Sequence, residues 1–214
     1  MASSSPSIIE LITITFKPDL QPSPSSPPHS FLSSVCDQIS RVPGVTSLHH
    51  GAVQERPTDW MLAVRWTSAS ELDAFVASAE RTAWLAGLRA ISAADVIRRL
   101  SLVGRPVEAL SAPCTEVFFA LGTEGDFIPA RLKPFVDALE GEAMKGFHAS
   151  AWGPLDVVAR HGSELEAPSE DGSAAAMLIG WDSKEAHLAH RGDGKAIDRH
   201  IQIVREGRKA VEVH

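Results

Sequence analysis

The chain has no tyrosine and no asparagine, two cysteines among 214 residues, no excess of basic residues, and no long uninterrupted apolar run. Each absence removes a class of chemistry. Without tyrosine there is no phenolic general acid or tyrosyl radical, so histidine, carboxylates and arginine must carry any proton transfer. Cys36 and Cys114 stand far apart, in neither CxxC nor zinc spacing, and are too few for a disulfide scaffold, so both are read as free thiols. A formal charge of −7 with no cluster of Lys or Arg lacks the electrostatic footprint that nucleic acid demands. No apolar stretch approaches the ~20 residues that span a bilayer. The start, "MASSSPSIIELITITF", has neither a positive n-region nor a small-residue cleavage site. The expectation is a cytoplasmic protein with no nucleic-acid or membrane partner.

What is present is a globular composition, 44% hydrophobic and 22% charged, in a chain long enough for one large domain or two small ones. The hydrophobic pattern favours two. Residues 8–16, "IIELITITF", read as a β-branched strand. After the Pro/Ser-rich "KPDLQPSPSSPPHS" comes a helix with Phe31, Val35 and Ile39 on one face. "PGVTSLHHGAVQ" and "DWMLAVRW" read as a hairpin, the second strand setting Trp60, Leu62, Val64 and Trp66 on one side. Ser68 or Ser70 then caps a helix over "SASELDAFVASAERTAWLAGL" with an apolar stripe of Leu72, Phe75, Val76 and Ala79, and a strand lies within "DVIRRLSLVG".

From Cys114 the order β-α-β-β-α-β recurs: "CTEVFFALG", "FIPARLKPFVDALEG", "MKGFHASAWGPLDVV", "AAAMLIGW" and "DSKEAHLAHRGDGKAIDRHIQIV", with "KAVEVH" able to supply an eighth strand. "AVRWTSASELDAF" and "LIGWDSKEAHLAH" share a Trp followed at two residues by Ser, with Trp66 and Trp181 115 residues apart. We read an internal repeat, residues 1–108 and 109–214. The expected fold is α+β, two tandem ferredoxin-like repeats. Their bare sheet faces would pack sheet to sheet as an intramolecular α/β barrel, because helices cover only one face of each sheet.

This order, together with "GWDSKEAHLAH", resembles the dimeric α/β-barrel superfamily, in particular its antibiotic-biosynthesis-monooxygenase-like and stress-responsive members. The resemblance implies a dimer fused into one polypeptide, working as a monomeric pseudo-dimer or as a homodimer. It also implies a pocket between the sheet and the helices of a half. Two mechanisms found in the family do not transfer. Plant polyketide cyclases use a tyrosine beside a histidine near the start of the third strand, where this chain has Trp60 and Ala175. Haem-degrading members pair a helix histidine with an asparagine.

Comparison within the chain supplies the candidate site. At the Trp66-to-Trp181 spacing, His187 and His190 stand where the first half has Leu72 and Phe75, so both are expected to face the sheet as polar groups in an apolar layer. The alternative is a helix rotated or frayed at "RGDG", leaving them at a margin. A metal reading would add His148 or Asp182 to the HxxH pair, but no HExxH or facial triad accompanies it, and no metal or cofactor is expected. His49 and His148 occupy similar places in "SLHHG" and "GFHAS", with His50 on the opposite strand face from His49. The recurring His49 and His148 are read as core residues at the barrel seam; the alternative is that His148 faces His190 across a pocket in the second half, or that His50 serves a pocket in the first. Arg65 either binds a substrate oxygen or pairs with Glu55, Asp59 or Glu71. Trp66, Trp152 and Trp181 fill core volume or form flat walls for a planar ligand.

The leading expectation is a cofactor-independent enzyme of secondary metabolism, a cyclase, isomerase or lyase on a hydrophobic polyketide-like or terpenoid-like substrate. His190, His148, His187 and His50 would be its acid/base groups, and Trp152, Trp181, Arg65, Trp66 and His49 would contact the substrate. A non-catalytic small-ligand or stress-response protein, and a cofactor-free quinone-forming monooxygenase, are the alternatives.

Overall fold

The computed structural model describes residues 6–20, 29–162 and 173–214; residues 21–28 of the Pro/Ser-rich stretch lie outside them. The chain forms two compact units.

The N-terminal unit is built on Ser7–Leu100. Its elements are β1 (Ser7–Phe16), α1 (His29–Ser40), β2 (Val45–Ala52), β3 (Asp59–Trp66), α2 (Ala69–Val76), α3 (Ala79–Ile91) and β4 (Ser92–Gly104), which leaves the unit after Leu100. The antiparallel order is β2-β3-β1-β4, and this unit also includes the far end of the later strand β6, from Val157. Strand alternation sends Ile12, Ile14 and Phe16 of β1 and Leu62, Val64 and Trp66 of β3 to one face. There they form a core with Leu32, Val35 and Ile39 of α1 and with α2 and α3.

The expected single helix after β3 is two. Ser68 caps α2 by accepting from the Glu71 amide at 3.2 Å, and Ser78 caps α3 by accepting from the Arg81 amide at 3.1 Å. A serine that can satisfy an orphan N–H restarts the helix and resets its phase. The stripe of Leu72, Phe75, Val76 and Ala79 is therefore corrected. Leu72 and Phe75 are buried, but Val76 and Ala79 are exposed, and the buried face resumes as Arg81, Trp84, Leu88 and Ile91.

The C-terminal unit takes the end of β4 from Ser101 and then α4 (Pro106–Ser111), a short helix missing from the sequence reading. It continues with β5 (Cys114–Thr123), a π-helical turn at Ile128–Leu132, and α5 (Lys133–Gly141). Next come β6 (Phe147–His161, in this unit through Asp156), β7 (Ser173–Trp181), α6 (Lys184–Ala189), α7 (Ala196–His200) and β8 (Ala210–Val213). The order β6-β7-β5-β8 repeats that of the first unit. Gly153 of β6 is required by the neighbouring end of β4, since a Cβ there would sit 2.1 Å from the Ser101 carbonyl oxygen. Gly180 of β7 lets α4 close on the face opposite the other helices, where a Cβ would lie 2.8 Å from that of Ala112.

The fold is thus the expected α+β class with two tandem ferredoxin-like repeats. Both repeats carry the same irregularity, a register shift between Val45 and Ser47 in β2 and between Phe147 and Ala149 in β6. The repeats can therefore be matched residue by residue.

Candidate functional site

Trp181 ends β7 fully buried, in the core cluster shared with α5 and α7. Two residues later Ser183 caps α6, accepting from the Ala186 amide at 3.2 Å as Ser68 does in the first unit. That cap sets the phase of a six-residue helix, so His187, one turn in, and His190, at its C-terminal cap, come round to the same indole. The imidazole of His187 stacks on Trp181 at 5.4 Å and 26°, and that of His190 at 5.9 Å and 23°. In the N-terminal unit the corresponding contact is apolar, Trp66 on Phe75 at 5.3 Å.

His190 Nε2 lies 3.0 Å from the Lys145 carbonyl. A carbonyl only accepts, so Nε2 carries the proton, and in the neutral ring Nδ1 holds the lone pair. His187 Nε2 lies 3.6 Å from Oε2 of Glu116, with both side chains about one-seventh exposed at 14% and 15%.

Glu116 was missed by the sequence reading, and the register shows what it is. Glu10 pairs across the ladder with Val64, and Glu116 with Ile179. Val64 and Ile179 each stand two residues before the matched tryptophans, so Glu10 and Glu116 hold one position in the two repeats. A carboxylate inside each β-branched run, in "IIELITITF" and "CTEVFFALG", was the available signal.

In the first unit that carboxylate is locked. Arg81 holds Glu10 through both oxygens, Nη2 to Oε1 at 2.6 Å and Nη1 to Oε2 at 3.1 Å, with both residues buried. The guanidinium lies 5.4 Å from the Phe75 ring centroid and 4.9 Å from that of Trp84. Burial pushes the Glu10 carboxyl above its ordinary range, and Arg81 pulls against that shift.

Trp152 of β6 packs against the same core as Trp181, across β7 from Phe118 through Met177. Ser150, next on that face, donates from Oγ to Glu140 Oε1 at 2.6 Å. The remaining candidates make other contacts. His148 is the bulged residue of β6, exposed, with Nε2 2.7 Å from Asp182. The expected match of His148 with His49 is corrected: His148 falls at the place of Thr46 in the other bulge, and it is Trp152 that corresponds to His50.

His49, His50, Arg65 and Trp66 belong to the N-terminal unit. His50, on the face of Leu62 and Trp60, lies 5.9 Å from the Trp60 ring. His49 is on the other face, and Arg65 on the face opposite Trp66. Burial holds the His49 imidazole below its ordinary range. Among the described residues no group of three or more His, Cys, Asp or Glu could hold a metal ion. No helix among them is long and apolar enough to cross a membrane.

Two tandem ferredoxin-like repeats, the second with a histidine-bearing helix over its sheet, define a duplicated ferredoxin-like α+β protein. No protein-family model matches the chain, and no curated protein matches it in sequence. Solved structures do. An anthrone oxidase-like protein aligns over 100% of this chain and 91% of its own at 15% identity, with a TM-score of 0.60. A proposed monooxygenase of Fusobacterium nucleatum subsp. nucleatum aligns over 98% and 91% at 10% identity, TM-score 0.63. Another of Lactobacillus acidophilus aligns over 97% and 91% at 10% identity, TM-score 0.58. At these identities the likeness is one of fold, and it spans both repeats.

Proposed function

We propose that the C-terminal unit holds a cofactor-independent enzyme site of secondary metabolism, which binds a hydrophobic, planar, polyketide-like molecule and moves protons on it with His187 and His190. One observation carries this reading: two imidazoles stack on buried Trp181 at the positions where the first repeat has Leu72 and Phe75. Histidine in place of core residues gives up apolar packing, and a substrate that must gain or lose a proton near neutral pH accounts for the exchange. The partly exposed Trp152 side chain supplies flat apolar surface for such a ligand, while buried Trp181 backs the two imidazoles.

In this reading an imidazole nitrogen takes a proton from an activated methylene or a phenol of the substrate, leaving a delocalised anion. That anion is electron-rich enough to reduce dioxygen. For an anthrone-type methylene the balance is CH2 plus O2 giving C=O plus H2O, with all four electrons accepted by the dioxygen. The oxygenase outcome is favoured because the aligned structures include an anthrone oxidase-like protein and proposed monooxygenases. Cyclisation, isomerisation and elimination start from the same deprotonation, so they are the second reading.

Oxygen uptake and product mass with a hydroxyanthrone separate these outcomes. The expected result is one O2 consumed per quinone formed, with kcat lowered about 100-fold or more in His187→Gln, the scale of a lost general base. A rearranged product without oxygen uptake would assign the cyclase or isomerase class. Saturable binding with no turnover of any kind would make the protein a carrier and end the acid/base assignment.

A further inference from the structure

We propose that Glu116 is the positioning residue of this site: its carboxylate pairs with His187 and makes that imidazole the stronger base, while the Glu10–Arg81 pair is the same position closed. The inference rests on the reading of His187 as a working base, and it adds a residue and an asymmetry between the halves.

The argument starts from a position the two repeats share. A carboxylate on the helix-covered face of a sheet is expensive unless it is paired, and it recurs at the same register point of β1 and β5. The repeats answer that cost differently. In the first, Arg81 gives a bidentate pair capped by Phe75 and Trp84, and both partners are almost wholly out of solvent, with side chains 6% and 1% exposed. Such a pair has a permanent cation that cannot release a proton, and no face of Glu10 is open to a ligand.

In the second repeat the partner is His187, a group that can hold or release a proton, with both side chains partly open. The place of Leu72, which is only packing in the first repeat, is the one changed to histidine to meet the carboxylate. A carboxylate beside an imidazole favours the imidazolium, so it strengthens the base and fixes the ring for transfer. Further titratable groups on the elements packed here include His190, stacked on the same Trp181, and Cys114, the preceding residue on that face of β5. β7 contributes the uncharged indole.

Two measurements on the full chain test this without a substrate. The His187 ring is followed by NMR titration, assigned from the signal lost in His187→Gln, in the wild type and in Glu116→Gln and Glu116→Asp. The expected result is a proton affinity of His187 at least tenfold lower in Glu116→Gln, largely rescued in Glu116→Asp, with His190 moved less. Thermal unfolding of Glu116→Gln and Glu10→Gln then tests the asymmetry. Glu10→Gln should lower Tm by more than Glu116→Gln and leave the His187 titration unchanged.

An unshifted His187 in Glu116→Gln would overturn the pairing. Equal losses of Tm for the two glutamates, with no titration effect, would make both structural. These readouts do not depend on turnover. A His187 coupled to Glu116 in a protein that turns nothing over would defeat the proposed function and leave the pairing standing.

Discussion

Cys36 shows how strongly a residue here is governed by what surrounds it. Burial first, and the neighbouring Asp37 second, push its thiol up to about 11, so at pH 8 only about one molecule in a thousand carries the thiolate. Iodoacetamide should therefore alkylate Cys36 at least tenfold more slowly in the native protein at pH 8 than in urea, which peptide mass mapping reads directly. His49 acts in the opposite sense. Burial lowers its folded pKa below 6.5, so the unfolded chain binds the proton more readily. Its contribution to stability is present above about pH 6.5 and is lost as the pH falls through the folded value. Urea midpoints at pH 7.5 and 5.5 should fall further apart in the wild type than in His49→Gln. The two imidazoles on Trp181 could be proposed from sequence because a repeat makes substitutions visible inside one chain. Glu116 stayed hidden because a lone charge in an apolar strand reads as local noise until the ladder sets it beside Glu10.

At the scale of elements, the site depends on a very short helix. α6 has six residues and no buried side chain of its own, so its orientation comes from the Ser183 cap and from the hydrogen bond of the Asp182 amide to the Gly146 carbonyl. Ser183→Ala should cost about 1 kcal/mol by chemical denaturation. It should lower activity by more than that loss of stability alone explains, since it frees the helix that aims His187. Ser68→Ala in the equivalent cap should cost a similar amount of stability and leave activity within twofold. Strands were legible to within about three residues at their ends, because β-branched runs and alternation leave few readings. Helices were less so. The break at Ser78 follows from one side chain competing for an amide, which the apolar period cannot report, and α4 is too short to show a period at all. The match of His148 with His49 failed for a different reason: it rested on the local likeness of "SLHHG" and "GFHAS", whereas the ladder register sets His49 against Ala151, three residues further on.

For the whole molecule, duplication explains how one chain can carry both a stable scaffold and a polar site. The N-terminal unit keeps Leu72, Phe75 and a closed Glu10–Arg81 pair, while the C-terminal unit places His187, His190 and a half-open Glu116 at the matching points. The fold was readable from the repeated element order. The polar cluster was readable only in part, because it lies in the differences between the copies. The measurement that tests this account most directly is oxygen-coupled turnover of a hydroxyanthrone by the wild type, His187→Gln and Phe75→Leu, the last altering the first repeat at the position of His190. The account predicts quinone formation with stoichiometric oxygen uptake in the wild type, a loss of about 100-fold or more in His187→Gln, and a rate within twofold of wild type in Phe75→Leu. Full activity in His187→Gln, or a loss confined to Phe75→Leu, would contradict it.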